Sequence, residues 1–193
     1  FGNCPKYIQG REPEPRADRR PGPVQAEGSR LSDAARGLVA RSDTLFIASS
    51  SAARIAQVGS GGSGADISHR GGPPGFVAIE RGEEGDLLTL PDYVGNYLFN
   101  TLGNLMLWPR AGLLWVDWQE GHVLQLAAEA QIVHEGAALA AFPGALRLLQ
   151  LQVRHGWWRP RALPLAWSAA QPAPQFADAQ ARFHAGGGPA PAK

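Results

Sequence analysis

The sequence predicts an all-β fold, a β-barrel with helical decoration, and three observations predict it. Over residues 122 to 133, Leu124, Leu126, Ala128, Ala130 and Ile132 alternate with Gln125, Glu129 and Gln131, the two-residue period of a half-buried strand. The alternation returns over 145 to 155, with Leu149, Leu151 and Val153 inward and Gln150, Gln152 and Arg154 outward. About six strand-like runs are separated by turn residues and only two stretches carry helical spacing, which favours an antiparallel barrel over a parallel Rossmann sheet.

Taken in order, the elements follow from local chemistry. Residues 12 to 30 (EPEPRADRRPGPVQAEGSR) are rich in Pro, Gly and charge and read as a linker. Ser32 can cap a short helix through 41 that places Ala35, Leu38 and Val39 on one face. Residues 44 to 49 (TLFIAS) form a strand, and 50 to 65, with GSGGSG, form a mobile loop to the next one. Strands follow at 75 to 80 and 86 to 90, with Gly82 and Gly85 marking the turn between them. Asn96 is a natural cap for a helix to about Met106, whose apolar face is Leu98, Leu102, Leu105 and Met106. The run 112 to 118 (GLLWVDW) is apolar on both faces apart from Asp117 and fits a central strand. One domain over 31 to 167 results, and the Ala-, Pro-, Gly- and Gln-rich tail from 168 to 193 is expected to be disordered.

Composition excludes several classes. The net charge is +1, from 18 basic and 17 acidic residues, so no nucleic-acid partner is expected. No apolar run reaches the roughly 18 to 20 residues that span a bilayer and no secretory leader pattern opens the chain, so no membrane partner and a cytoplasmic location are expected. Cys4 is the only cysteine, which rules out an internal disulfide and a cysteine-rich metal site. The five His residues are scattered without metal-ligand spacing, so no metal site is expected. There is no internal repeat.

Five runs lie in one order over roughly two thirds of the chain: SHRGGPPGFV at 68 to 77, PDYVGNYLFNTLGNL at 91 to 105, PRAGLLWVDW at 109 to 118, GHVLQLAAEAQIV at 121 to 133 and ALPLAW at 162 to 167. In these the sequence resembles the pyridoxamine 5'-phosphate oxidase-like flavin-nucleotide-binding proteins. The resemblance implies a Greek-key FMN-binding split barrel with FMN in a groove between two split-barrel halves. It implies an oxidoreductase passing electrons through FMN by hydride or single-electron transfer, with a reductase as a possible electron-transfer partner. The alternative is a non-catalytic flavin-binding or structural half-barrel. Longer members carry a segment like GNCPKYIQ at the close of a first half, so residues 1 to 11 are expected to end a preceding half-domain, with the chain as the C-terminal half. A homodimer, or a pseudo-dimer with the missing N-terminal half, would then complete the site. Some split-barrel relatives bind haem through a His, and nothing in this sequence selects one for that role.

FMN needs phosphate donors, a surface for its ring and hydrogen bonds to its polar edge. Ser68, His69, Arg70 and Gly71 offer a guanidinium fork and close-approaching amides, although on spacing alone they equally make a Gly-rich turn. Asn100, Thr101 and Asn104 share one helix side, which is either a ligand face or a solvent face. By resemblance, Asn100 and Thr101 stand where the oxidases carry a basic pair for the phosphate, which either weakens FMN binding or shifts that burden to Arg70 and Lys6. Gln125 projects from the polar strand face, where Gln is common anyway, and Arg110 follows the helix, where its charge suits the helix dipole regardless. Lys6 and Tyr7 could supply a phosphate donor and a ring contact. The six Trp residues fit core and interface as well as flavin stacking, and Trp157 and Trp158, being adjacent on a strand, face opposite ways. No residue stands out as a general acid or base, so the catalytic residues are unassigned.

Overall fold

The computed structural model describes residues 3–51, 64–174 and 176. After a single 3-10 turn at Pro5–Tyr7 come β1 (Pro13–Pro15), β2 (Gln25–Glu27), α1 (Asp33–Arg41), β3 (Thr44–Ser50), β4 (Ala65–Gly71), β5 (Ala78–Gly82) and β6 (Gly85–Asp92). Then follow α2 (Asn100–Leu107), β7 (Arg110–Val116), β8 (Val123–Val133), the four-residue α3 (Ala137–Ala140), β9 (Arg147–Arg159) and β10 (Leu165–Trp167). The fold is a mostly antiparallel β-sheet with few helices. Seven strands run in the order β4-β3-β7-β8-β9-β6-β5, β2 pairs with β9 beside this path, and β1 pairs with β10. The path is open: no strand pairing among the described residues joins its β4 end to β5 or β6.

Alternation builds the core. Leu45 and Ile47 of β3, Leu113 and Trp115 of β7, Leu124 and Leu126 of β8, and Leu149, Leu151 and Val153 of β9 all face inward and are buried. Each such side chain contributes about 1.5 to 3 kcal/mol relative to its exposed state. A bulge at Ala127/Ala128 then shifts the phase of β9, so that Gly156 and Trp158 come inward while Trp157 turns out. Gly156 must be glycine, because a Cβ there would run into the Gln125 carbonyl. Helix α1 covers the sheet with Ala35, Leu38 and Val39, and Ser32 caps it by accepting a hydrogen bond from Ala35 N.

Asp86 anchors the approach to α1. It is completely buried, with Arg36 Nη1 at 2.9 Å and Arg81 Nε at 3.1 Å from Oδ1, and Oδ2 accepts from Leu31 N. Burial by itself would raise its pKa, but these partners outweigh burial and hold it below the ordinary Asp range.

Several expectations need correction. The run containing SHRG is a strand, β4, paired with β3 along its whole length, and not a turn. Helix α2 begins at Asn100 and not at Asn96, because Asn96 Oδ1 accepts from Leu98 N in a local turn and Tyr97 takes a positive φ of 60°. Its buried side is Thr101, Leu102 and Leu105, while Leu98 and Met106 are exposed. Residues 12 to 30 are no free linker. Pro13 and Pro15 lie on an edge ribbon, where a missing N–H costs little, and Arg19 donates to the Leu163, Leu165 and Gln119 carbonyls. The expected tail is attached at its start: Ser168 N donates to Glu12 O, Gly10 and Gln171 form a bridge, and Phe176 is buried. Residues 177 to 193, and residues 52 to 63 of the expected loop, lie outside the described residues. Residues 3 to 11, expected to close another half-domain, pack on this sheet, where Arg11 pairs with Asp43 and lies over the Trp118 ring. No helix among the described residues is long and apolar enough to cross a membrane.

Candidate functional site

Where the sheet fails to close, a cleft opens between the end of β4 and the end of β6, lined also by residues 95 to 99 and by Asn3, Cys4 and Tyr7. Its charged floor follows from strand phase. Arg70 is opposite the fully buried Leu45 in the β3–β4 register, and Asp92 is opposite Arg147 in the β6–β9 register, so three charged side chains occupy inward positions at strand ends. They meet across the opening. Arg70 Nη1 donates to Asp92 Oδ1 at 3.0 Å, and Arg147 Nε lies 3.1 Å from Asp92 Oδ2. The Arg147 guanidinium also lies 5.1 Å from the Phe99 ring centroid.

This cluster is cationic and incompletely used. Two guanidinium groups face one carboxylate, with 25% and 20% of the Arg70 and Arg147 side chains exposed and 13% of Asp92. Arg70 Nε is buried without a hydrogen-bond acceptor, whereas the buried Arg147 Nε meets only Asp92 Oδ2 of its ion pair. Buried donors without an acceptor are costly, and an anionic ligand would satisfy them. The rest of the wall mixes polar side chains, among them Asn3, Ser68, His69 and Asn96, with the apolar and aromatic Phe76, Leu90, Tyr93, Phe99 and Leu102.

The first residues of the chain shape one end. Asn3 Oδ1 accepts from the His69 backbone N–H at 2.9 Å, and the Tyr7 hydroxyl donates to Val94 O at 3.2 Å. Gly71 permits this approach, since a Cβ there would collide with the Tyr7 carbonyl. The His69 ring meets Phe46 edge-on at 5.6 Å, and its buried Nδ1 has no protein partner. Burial depresses the His69 pKa despite the opposing charge of Asp43, so the ring is neutral at neutral pH.

Of the residues singled out in the sequence, Ser68, His69, Arg70 and Gly71 line the cleft together, with Tyr7. The others are not brought there. Thr101 is buried in a closed triangle, bonding Asp66 Oδ2 at 3.0 Å and Ser68 Oγ at 2.7 Å, and Asn104 donates to Ser49 Oγ, so both fasten α2 to the sheet. Asn100 is exposed at the start of α2, and Arg110 is exposed at the start of β7 opposite Glu129. Gln125 sits on the outer face between Leu114 and Trp157. Lys6 lies over the Tyr7 ring, next to the cleft without lining it. Sequence reasoning missed Asp92, Arg147 and Phe99. The phase of β9 held a signal for one of them, because Arg147 is in step with Leu149, Leu151 and Val153, an inward position where a charge demands a partner.

No protein-family model matches the sequence, and no curated protein matches it. Solved structures similar to it include HupZ of Group A Streptococcus, with 12% identity over 64% of this chain and 90% of that one and a TM-score of 0.45. Another is a candidate pyridoxamine 5'-phosphate oxidase from Lactobacillus delbrueckii, with 13% identity over 66% and 93% and a TM-score of 0.46. A third is HutZ, the heme storage protein from Vibrio cholerae, with 14% identity over 66% and 93% and a TM-score of 0.41. A likeness at this level transfers neither cofactor nor activity, and both must be argued from the chain's own residues.

Proposed function

We propose that this protein is a flavin-nucleotide-binding split barrel that holds FMN in the Arg70 cleft and acts as an oxidoreductase by passing electrons through it. One observation carries the reading: a single cleft joins aromatic and apolar side chains to the Arg70 guanidinium, whose buried Nε has no protein acceptor. That combination suits a ligand with a flat ring at one end and a phosphate at the other. Arg70 would hold the phosphate, with Arg147 adding positive charge behind the shared Asp92, and Phe99, Tyr93 and Leu102 would offer the ring surface. Bound FMN would supply hydride or one-electron chemistry, while the residues of this chain bind it and keep it from water. A reduced nicotinamide, delivered directly or through a reductase, is the natural electron source.

We take the acting form to be a homodimer. Trp157, 50% exposed, and Ile67 project from the outer sheet face, and Tyr97, Leu98, Met106 and Leu107 are exposed beside the cleft. A second copy of the chain would cover this apolar surface.

The purified protein tests the reading through its visible spectrum. A yellow protein bleached by NAD(P)H supports it. A colourless protein that does not quench added FMN fluorescence overturns it. A yellow protein that no reductant bleaches would favour non-catalytic flavin binding, a reading supported by the fact that Asp92 already neutralises half of the guanidinium charge.

A further inference from the structure

We infer that Asp92 determines the charge of the anion that the cleft accepts, acting as a built-in competitor for the two arginines. The inference rests on reading the cleft as an anion site, but not on the anion being FMN. Both carboxylate oxygens are committed, Oδ1 to Arg70 and Oδ2 to Arg147. The two arginines and one aspartate together carry a net charge of +1, which balances a singly charged group. A dianionic phosphate must therefore either share the guanidinium groups with a neighbouring carboxylate or displace it. Repulsion between the two anions is poorly screened in this place, because Asp92 is largely buried. The buried Arg70 Nε, which has no acceptor, marks where an entering anion would be held, and Arg147 Nε would become available to it once the carboxylate yields.

A purely structural Asp92, serving only to join β4 to β6, makes a different prediction. Its loss would lower stability and leave anion preference unchanged.

The test compares the full chain with Asp92→Asn, which keeps the shape and removes the charge. Two probes are used: inorganic phosphate, followed by the rise in melting temperature at constant ionic strength, and FMN against riboflavin, followed by flavin fluorescence quenching. Asp92→Asn should bind phosphate and FMN about ten-fold tighter or more, with riboflavin, which has no phosphate, little changed. Unchanged or weaker phosphate binding, with the same preference for FMN over riboflavin, would overturn the inference. Should neither flavin bind either protein, the FMN reading fails while the phosphate measurement still decides the role of Asp92. Arg147→Gln is the second variant if Asp92→Asn does not fold. It cancels the surplus positive charge and should lose phosphate binding about ten-fold, and phosphate affinity equal to the parent's would overturn the inference.

Discussion

Arg70 on β4 and Asp92 on β6 join two strands that share no ladder, through one hydrogen bond of 3.0 Å. The same guanidinium that would hold the phosphate in the proposed site is a clasp across the opening of the sheet. Arg70→Ala should weaken FMN binding about ten- to a hundred-fold, since a charge-assisted hydrogen bond contributes roughly 1.5 to 3 kcal/mol. It should also lower the melting temperature. Fluorescence titration measures the first effect and circular dichroism the second. An affinity equal to the parent's would move the flavin site elsewhere.

Thr101 should behave in the opposite way. Its hydroxyl is buried against Asp66 and Ser68, so Thr101→Val removes two hydrogen bonds and leaves only the one that Ser68 Oγ donates to Asp66 Oδ2. The expected cost is about 1 to 3 kcal/mol of stability. FMN affinity should change less than it does in Arg70→Ala. Urea unfolding beside the same flavin titration separates the two, and a large affinity loss at full stability would return Thr101 to the ligand site.

The helix face was the hardest part to read from sequence. Leu98, Leu102, Leu105 and Met106 have helical spacing, but the turn at Asn96 delays α2 to Asn100, and the polar Thr101 and Asn104 face inward because β3 and β4 offer them partners. Periodicity reports which residues are apolar and not which buried polar groups will be satisfied. The strands were legible for the converse reason. Alternation in β8 and β9 fixes a face, and the Trp157–Trp158 pair splits as it must, with Trp158 only 7% exposed. The cleft was half legible: SHRG identified one wall, while Asp92 and Arg147 meet Arg70 only through the register of β6 with β9.

Stability should fall in two stages on acidification. His69 and His122 have depressed pKa values, each chiefly through burial, and Asp86 and Asp117 are held low by hydrogen bonds and Arg partners that outweigh burial. For every one of these groups the unfolded chain binds protons more readily than the folded one. Their contribution is thus present above the unfolded pKa and is lost as pH falls through the folded one. The histidine stage should begin below about pH 6.5 and the aspartate stage below about pH 4. Urea midpoints across this range provide the check, and a double variant His69→Asn, His122→Asn should flatten the upper stage. Asp86→Ala should lower stability at neutral pH, because it leaves Leu31 N and two arginines without their carboxylate, and urea unfolding measures the loss.

Trp157→Arg places a charge at the centre of the exposed outer face. Light scattering should show the parent as a dimer and the variant as a monomer, with an unchanged circular dichroism spectrum because the indole makes no contribution to the core. A monomeric parent at high concentration would remove the basis for a shared site.

The ribbon of β1 with β10, together with the bond from Glu12 N to Ser168 Oγ between residues 156 positions apart, has a kinetic consequence. Contacts so distant in sequence require closing a long loop before they contribute anything, so they form late and slow the approach to the native state. During synthesis, β1 leaves the ribosome long before β10 does, and its edge stays unpaired for that interval.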